Sequence, residues 1–230
     1  MLTPRLMAIA NEIEKGESVA DIGTDHGYLP MYLQMEGISP KVIMTDVSKG
    51  SLKKARENCE EICPDTKFDL RLGNGLKVIK ENEVDNVIIA GMGGVLITEI
   101  IGKDLKKAKN LKKLIMQPRT AQGRLRYWLI KKGFIITNEQ LVREGRFICE
   151  IITAVPGEAE ESMRIDAGPD SIKWEMPIWL AKSNDPLVRE FIDSKIEREK
   201  RILTSMGNSK NIGKEDVAAI ENNIKYLESL

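Results

Sequence analysis

The chain has 230 residues, 42% hydrophobic and 30% charged, which is the composition of an ordinary globular protein. Its 35 basic and 35 acidic residues cancel, so the overall charge predicts no polyanionic partner, and a nucleic-acid surface would have to be a local patch. No apolar run approaches about 18 residues, so we predict no membrane-spanning segment.

Strands and helices are predicted to alternate along the first 155 residues. A helix over residues 3–14 has Thr3 as its cap and Pro4 at its first position. Strands are then predicted at 18–22, 42–45, 67–72, 84–90 and 113–116, and helices from Tyr28, at 48–63, from Gly94 and at 122–132. Strands 134–140 and 146–155 are predicted to form a terminal hairpin. This order indicates an α/β fold with a mainly parallel, Rossmann-like sheet.

The composition changes after Val155. Residues 156–170 are rich in glycine, proline and acids, which is typical of a linker. Two amphipathic helices, at 187–206 and 217–227 with a polar loop at 207–214, predict an antiparallel, coiled-coil-like hairpin. We therefore predict two domains, residues 1–159 and a small helical domain at 160–230. The hairpin either folds against the sheet domain or extends a partner-binding surface through exposed cations, namely Lys195, Arg198, Lys200 and Arg201.

The cysteines indicate a reducing environment. There are three, Cys59, Cys63 and Cys149, and the first ten residues, MLTPRLMAIA, lack the pattern of a signal peptide. We expect free thiols and a cytoplasmic protein. Cys59 and Cys63 lie four apart on a predicted helix, as a metal-binding pair would. The chain has one histidine and no second ligand pair, so we predict no metal site and interpret both thiols as small buried hydrophobic groups.

The segment VADIGTDHGYLP, residues 19–30, joins the first strand to a helix. Gly23 and Gly27 permit a left-handed backbone or the close approach of a ligand, and open α/β sheets bind cofactors at the carboxyl ends of their strands. Asp21 and Asp25 would repel a dinucleotide pyrophosphate, which needs free amides at a helix N-terminus. These acids suit a ligand with a positively charged end, such as S-adenosylmethionine.

Three later strand ends extend the predicted cofactor site. Asp46 ends the second strand, about 20 residues after the glycine-rich turn, where an acid accepts both ribose hydroxyls of a nucleoside. Asn74, between two glycines after the third strand, either holds an adenine edge or belongs to a simple turn. The fourth strand ends in IAGMGG, residues 89–94, whose glycines either leave room for a flat substrate or serve tight packing. The predicted cofactor-binding residues are Asp21, Gly23, Thr24, Asp25, Gly27, Asp46, Val47, Gly73, Asn74, Gly75, Ala90 and Gly91.

His26, Tyr28 and Met92 are the candidate catalytic residues. His26 is the only histidine, and a single histidine is commonly structural. Its position inside the cofactor turn, which Tyr28 shares, favours a place near the reacting atoms, and Met92 lies among the glycines of the fourth strand end. No Ser-His-Asp or metal constellation is visible, so we predict catalysis by alignment and exclusion of water.

Basic residues concentrate in two runs. KDLKKAKNLKK, residues 103–113, has six lysines and one acid, and PRTAQGRLRYWLIKK, residues 118–132, has three arginines and two lysines around Tyr127 and Trp128. Runs of this kind are usually solvated helix faces. Both runs are predicted to lie near the carboxyl edge of the sheet, which favours contacts with RNA phosphates as the alternative interpretation.

Several of these stretches resemble the bacterial tRNA (adenine-22-N1)-methyltransferase family, namely RLMAIA, VADIGTDHGYLP, IAGMGG, LIMQP, RFICEIITA and MPIWLAKSNDP. The resemblance implies a class I methyltransferase domain and a coiled-coil-like C-terminal domain. It also implies methyl transfer from S-adenosylmethionine to N1 of an adenine in the D-arm region of tRNA. In that family asparagine follows the Gln-Pro pair, whereas this chain has Arg119.

The resemblance also implies roles for single residues. Tyr28 and Met92 would lie near the target adenine, and the cofactor site would be lined by Asp21, Gly23, Asp25, Asp46, Asn74 and Ala90. The implied partner is tRNA, and no oligomer is required. Three alternatives stay open: a methyltransferase acting on another RNA site or a small molecule, an NAD-dependent oxidoreductase, and a non-catalytic RNA-binding protein. Asp21, Asp25 and the missing G-x-G-x-x-G motif argue against the oxidoreductase.

Overall fold

The computed structural model describes residues 2–207 and 213–230. Most of the predicted polar loop at 207–214 therefore lies outside the described residues. The helices are α1 Pro4–Ala10, α2 Tyr28–Met35, α3 Lys49–Ile62, α4 Gly94–Gly102, α5 Leu105–Ala108, α6 Gln122–Lys131, α7 Ile172–Glu175, α8 Ile178–Ala181, α9 Val188–Gly207 and α10 Lys214–Glu228, with 3-10 turns at Gly75–Val78 and Glu161–Met163.

Seven strands form one mixed sheet, in the order β3-β2-β1-β4-β5-β7-β6. The strands are β1 Val19–Ile22, β2 Val42–Asp46, β3 Asp69–Leu72, β4 Asn86–Gly93, β5 Lys113–Thr120, β6 Phe134–Glu144 and β7 Phe147–Pro156. The first five are parallel, and β7 runs antiparallel to both β5 and β6. This arrangement confirms the predicted α/β class and the terminal hairpin.

Local signals placed most helix starts correctly. The hydroxyl of Thr3 accepts a hydrogen bond from the Leu6 amide at 3.4 Å, and that of Ser48 accepts one from Ser51 at 3.2 Å. The first helix, however, ends at Ala10 and not at residue 14, so the predicted end is wrong. The chain must reverse there to enter β1, and it does so through Gly16 with φ +98°.

Three strands are longer than their local sequence predicts. β4 and β5 extend to Gly93 and Thr120 because they pair with each other there, with Met92 opposite Pro118. Glycine and proline normally indicate a turn, but the neighbouring strand supplies partners along this stretch. β6 likewise continues to Glu144, opposite Phe147.

The C-terminal helices share a core with the long β6–β7 hairpin. This core contains Leu141, Met176, Leu180, Val188, Phe191, Ile192, Ile196 and Leu227. Lys195 is only 9% exposed, and its Nζ lies 3.5 Å from Glu175 Oε2, so the prediction that it belongs to an exposed cationic surface is wrong. The packing supports the interpretation that the hairpin covers an apolar face. The domain boundary at residues 159 and 160 stays a prediction.

A buried arginine on α6 links the β6–β7 hairpin to the C-terminal helices. Arg126 on α6 is 0% exposed, although the sequence places it in a basic run predicted to contact RNA. Its Nε lies 2.7 Å from Glu139 Oε1, and its two Nη groups donate to Glu150 and to the carbonyl of Trp174. The prediction of a phosphate contact is wrong for Arg126, because its charge is neutralised inside the protein.

Candidate active site

A cleft of about 710 Å³ opens at the carboxyl ends of the parallel strands. The cleft contains every predicted site residue: His26, Tyr28 and Met92 together with Asp21, Gly23, Thr24, Asp25, Gly27, Asp46, Val47, Gly73, Asn74, Gly75, Ala90 and Gly91. The sheet brings these residues together because the ends of its parallel strands meet at one edge. Their individual roles stay predictions.

The turn between β1 and α2 needs its glycines. Gly23 and Gly27 have φ of +80° and +74°, a left-handed conformation that disfavours residues with a side chain. The amides of Gly23 and Thr24 both donate to the carbonyl of Thr45, at 2.8 and 2.9 Å. A Cβ on Gly23 would lie 2.1 Å from Met92 Cε, so the Met92 side chain reaches across the cleft to this turn.

The two acids of this turn differ in environment. Asp21 is only 6% exposed, and this burial, reinforced by the negative charge of Asp46 and opposed by Arg5, raises the pKa of Asp21 from 3.8 to about 6. Asp25 is exposed at the mouth, where its Oδ2 lies 3.6 Å from His26 Nε2. A buried carboxyl with a raised pKa gains from a cationic ligand, because the ligand replaces lost hydration.

Asp21 should therefore make the ligand-free protein less stable as pH rises. The folded state holds the proton up to about pH 6 and the unfolded state only to about 3.8, so the free energy of unfolding falls across that interval. We expect Asp21→Asn to raise the free energy of unfolding at pH 7 by up to about 3 kcal/mol, since one pKa unit corresponds to about 1.36 kcal/mol. Urea unfolding at pH 7 and pH 4 measures this change. An equal gain in stability at both pH values would show that ionisation of Asp21 is not its cause.

Asp46 and the turn after β3 form the opposite wall. Asp46 Oδ1 accepts the amide of Ser48 at 2.8 Å, which fixes the carboxylate at the start of α3, and the Gly73 amide donates to the Asp46 carbonyl at 2.9 Å. Asn74 is exposed beside them, and Gly75 has φ +58° with Ile100 packed against it. A half-buried, oriented carboxylate can accept hydrogen bonds from two neighbouring hydroxyls.

The glycines around the end of β4 differ in role: one leaves open space and another serves tight packing. Gly91, with φ +75°, has no atom within 4 Å of the position of a Cβ, and so it faces open space. At Gly94 a Cβ would lie 2.5 Å from the carbonyl oxygen of Ala121, so that glycine serves tight packing. The Gly91 amide donates to Oε1 of the buried Gln117 at 3.1 Å, which holds the irregular strand end in place.

The cleft is also lined by residues outside the predicted site. Arg5 lies on α1, before the first strand, yet it lines the cleft and bonds Glu144 Oε2 at 3.2 Å. The other additions are Thr3, Leu6, Leu29, Ile22, Thr45, Leu96, Ile100, Lys103 and Arg119. The sequence predicts α1 as a helix, but only tertiary packing brings it to this edge.

Most lysines of residues 103–113 lie away from the cleft. Lys113 begins β5 and therefore lies at the amino edge of the parallel sheet, so the predicted location at the carboxyl edge is wrong for it and for Lys112. Lys112 Nζ is 3.0 Å from Asp85 Oδ1, and Lys113 Nζ is 3.1 Å from Glu14 Oε1. Lys103 does reach the cleft. The first basic run is thus not a single RNA-facing surface.

The cysteines have the environments expected of buried hydrophobic groups. Cys59 and Cys63 are buried, and burial raises the pKa of Cys59 to about 11. In the part of the chain that the structure describes, no group of three or more His, Cys, Asp or Glu side chains could hold a metal ion. Among the same residues, no helix has both the length and the apolar character to cross a membrane.

The sheet order and the cleft define a class of protein, the methyltransferases. The family model described as "Methyltransferase domain" matches residues 2–152, which include every strand that lines the cleft. The chain is 32% identical to the tRNA (adenine(22)-N(1))-methyltransferase of Bacillus subtilis over 170 residues, covering 73% of this chain and 71% of the relative. The chain belongs to this tRNA methyltransferase family.

Solved structures agree over the whole chain. The crystal structure of Streptococcus pneumoniae Sp1610 is 29% identical, has a TM-score of 0.87 and covers 100% of this chain and 99% of its own; it has also been solved in complex with S-adenosyl-L-methionine. M. capricolum TrmK in complex with S-adenosyl-homocysteine is 25% identical, with a TM-score of 0.82 and coverage of 100% and 97%. The C-terminal helices thus belong to the shared architecture.

Proposed function

We propose that the protein transfers a methyl group from S-adenosylmethionine to N1 of adenine 22 in tRNA. The observation that carries the proposal is the cleft of a chain that belongs to this family. The cleft combines the buried acid Asp21, the oriented acid Asp46 and the open space at Gly91. Neither an NAD-dependent oxidoreductase nor a non-catalytic RNA-binding protein is supported by the relatives.

The cleft fits the proposed cofactor at both of its ends. Asp46 would accept the ribose hydroxyls, and the exposed Asn74 beside it would meet the adenine edge. Asp21 and Asp25 would face the ammonium and sulfonium charges, which favour the ionised form of a buried carboxyl. When bound, S-adenosylmethionine supplies an electrophilic methyl group.

The reaction asks for alignment of atoms and not for a strong base. N1 of adenine has an in-plane lone pair, so it can attack the methyl carbon without first losing a proton. Tyr28 is 46% exposed and stacks with His26, ring centroids 5.6 Å apart, so it offers a flat apolar surface at the mouth of the cleft. We propose that Tyr28, His26 and Met92 hold the flipped base and exclude water.

The tRNA would extend beyond the cleft. We propose that residues 160–230 act as a helical domain that adds to the grip on the RNA. The cations that would do so are exposed on α9, namely Arg198, Lys200 and Arg201, and the buried Lys195 is not among them. Cation contacts with phosphates supply affinity without regard to sequence. Action on tRNA also agrees with the expected cytoplasmic location.

Mass spectrometric mapping of tRNA tests the proposal. The protein is incubated with methyl-labelled S-adenosylmethionine and a tRNA transcript, and we expect one added methyl group, at N1 of adenine 22. A matched transcript with guanine at position 22 should stay unmodified. Labelling of both transcripts at another nucleotide would support the alternative of a different RNA site, and labelling of neither would leave a small molecule as the substrate.

A further inference from the structure

A second cavity, of about 370 Å³, adjoins the cofactor cleft. We call it the Arg119 pocket; the residues that define it here are Arg5, Gln117, Arg119, Gln122, Glu144 and Phe147. It shares Arg5, Gly91 and Arg119 with the cleft, so the two cavities meet beside the open space at Gly91. The pocket therefore lies next to the place where the target base must stand.

One wall of the Arg119 pocket is an aromatic ring that is largely exposed to solvent. Phe147 begins β7 and is 60% exposed. A large apolar ring exposed in a pocket is an informative feature, because phenylalanine is among the residues most often buried. The guanidinium carbon of Arg146 lies over the ring, 4.9 Å from its centroid. Exposed aromatic rings in nucleic-acid-binding proteins are platforms on which bases stack, and an arginine over the ring adds a cation.

The charge of Arg119 is available to a ligand. Arg119 is exposed, and among the described residues the structure gives it no ion pair or hydrogen bond. The acid in the lining of the pocket, Glu144, is engaged by Arg5 at 3.2 Å and by the Thr3 hydroxyl at 2.9 Å. A free guanidinium between two cavities is suited to a phosphate oxygen.

The buried amide side chain of Gln117 lines the pocket, and hydrogen bonds fix its orientation. It is 3% exposed, and its Oε1 accepts from the Gly91 amide at 3.1 Å and from Arg5 Nη1 at 3.3 Å. Two donors on one oxygen identify that atom as the carbonyl oxygen. Among the residues that the structure describes, the Nε2 group then donates only to the carbonyl of Pro118, at 3.3 Å, so one N–H remains for a base edge.

We propose that the Arg119 pocket binds the nucleotide next to the target adenine in the RNA strand, with its base on Phe147 and its phosphate on Arg119. This rests on the proposed function. The target base itself must reach the methyl donor on the far side of Gly91, whereas a neighbouring nucleotide can occupy the adjoining cavity. Arg119 and Phe147 are thus substrate-positioning residues, and they help to select the nucleotide that enters the cleft.

Steady-state kinetics of Arg119→Gln and Phe147→Ala with tRNA test the assignment. We expect Phe147→Ala to raise the KM for tRNA roughly 5- to 150-fold, the range that loss of one base–aromatic stack gives, and Arg119→Gln to raise it through the loss of a phosphate contact, with kcat within about twofold in both variants. Arg119→Gln should also lower the slope of log affinity against log salt by about one. The affinity for S-adenosylmethionine should be unchanged. Unaltered KM in both variants would overturn the proposal, as would a lower kcat at unaltered KM.

Matched variants separate this effect from a general loss of charge or apolar surface. Lys15→Gln removes an exposed cation before β1, at the opposite edge of the sheet, and Ile62→Ala removes an exposed apolar side chain at the end of α3. Neither should change the KM. Arg119→Lys and Phe147→Tyr should restore most of the affinity, since the charge or the ring returns. Failure of both to restore it would mean that the original losses were structural.

Fluorescence of 2-aminopurine locates the occupant. The base is placed in the tRNA either at position 22 or at one of its two neighbours, and the quenching on binding is compared for the protein and Phe147→Ala. We expect the variant to lose quenching at one neighbour only. Loss at position 22 alone would assign the pocket to the target base and overturn the proposal. This binding signal does not require methyl transfer, so it is independent of a failure of the proposed activity.

Discussion

Asp46→Ala is expected to lower the affinity for S-adenosylmethionine by roughly 100-fold or more. A hydrogen bond to a charged group contributes about 1.5–3 kcal/mol, and the carboxylate would accept from two ribose hydroxyls. Each 1.4 kcal/mol corresponds to about tenfold in affinity. Isothermal titration calorimetry of the purified variant measures the loss directly, without any need for tRNA.

The fold should survive this change. Asp46 Oδ1 also accepts the Ser48 amide at 2.8 Å, so a loss of about 1 kcal/mol in stability is expected from the start of α3. Asp46→Asn keeps an acceptor for that amide and should unfold like the unaltered protein while still binding poorly. Asp65→Ala, at an exposed position outside the cleft, is the matched control. Full cofactor affinity in folded Asp46→Ala would remove Asp46 from the ribose site.

Arg126→Ala is expected to destabilise the protein by about 3–5 kcal/mol, the usual cost of removing one partner from a buried ion pair. Glu139 and Glu150 would be left charged, at 5% and 3% side-chain exposure, and the carbonyl of Trp174 would lose its donor. For a chain of this size the melting temperature should fall by roughly 10 °C. Differential scanning calorimetry at pH 7 measures the change.

Two further variants test whether uncompensated buried charge explains the loss of stability in Arg126→Ala. Arg143→Ala breaks an exposed ion pair with Glu190 and should cost less than about 1 kcal/mol. The triple variant Arg126→Met, Glu139→Gln, Glu150→Gln removes the guanidinium and both acids together, and it should recover most of the lost stability. If the triple variant were no more stable than Arg126→Ala, uncompensated charge would not explain the loss.

The chemistry of the cleft could be predicted from the sequence because it depends on short segments. Asp21, Gly23 and Gly27 lie in one strand–turn–helix segment, and Asp46 follows a strand that pairs with β1. Once parallel strands are predicted, their carboxyl ends must converge, so residues from four segments could be assigned to one site. The helix caps Thr3 and Ser48 are equally local, since each bonds an amide three residues away.

Only the tertiary structure decided which charged side chains face solvent. Arg126 lies in a basic run of the sequence and Lys195 on a charged helix face, yet both are buried beside acids from other elements of the chain. Arg5 and Arg119, 114 positions apart, instead meet at the border of two cavities. A run of lysines and arginines specifies charge but not neighbours, because the packing of distant strands and helices determines which acids come close enough to neutralise it.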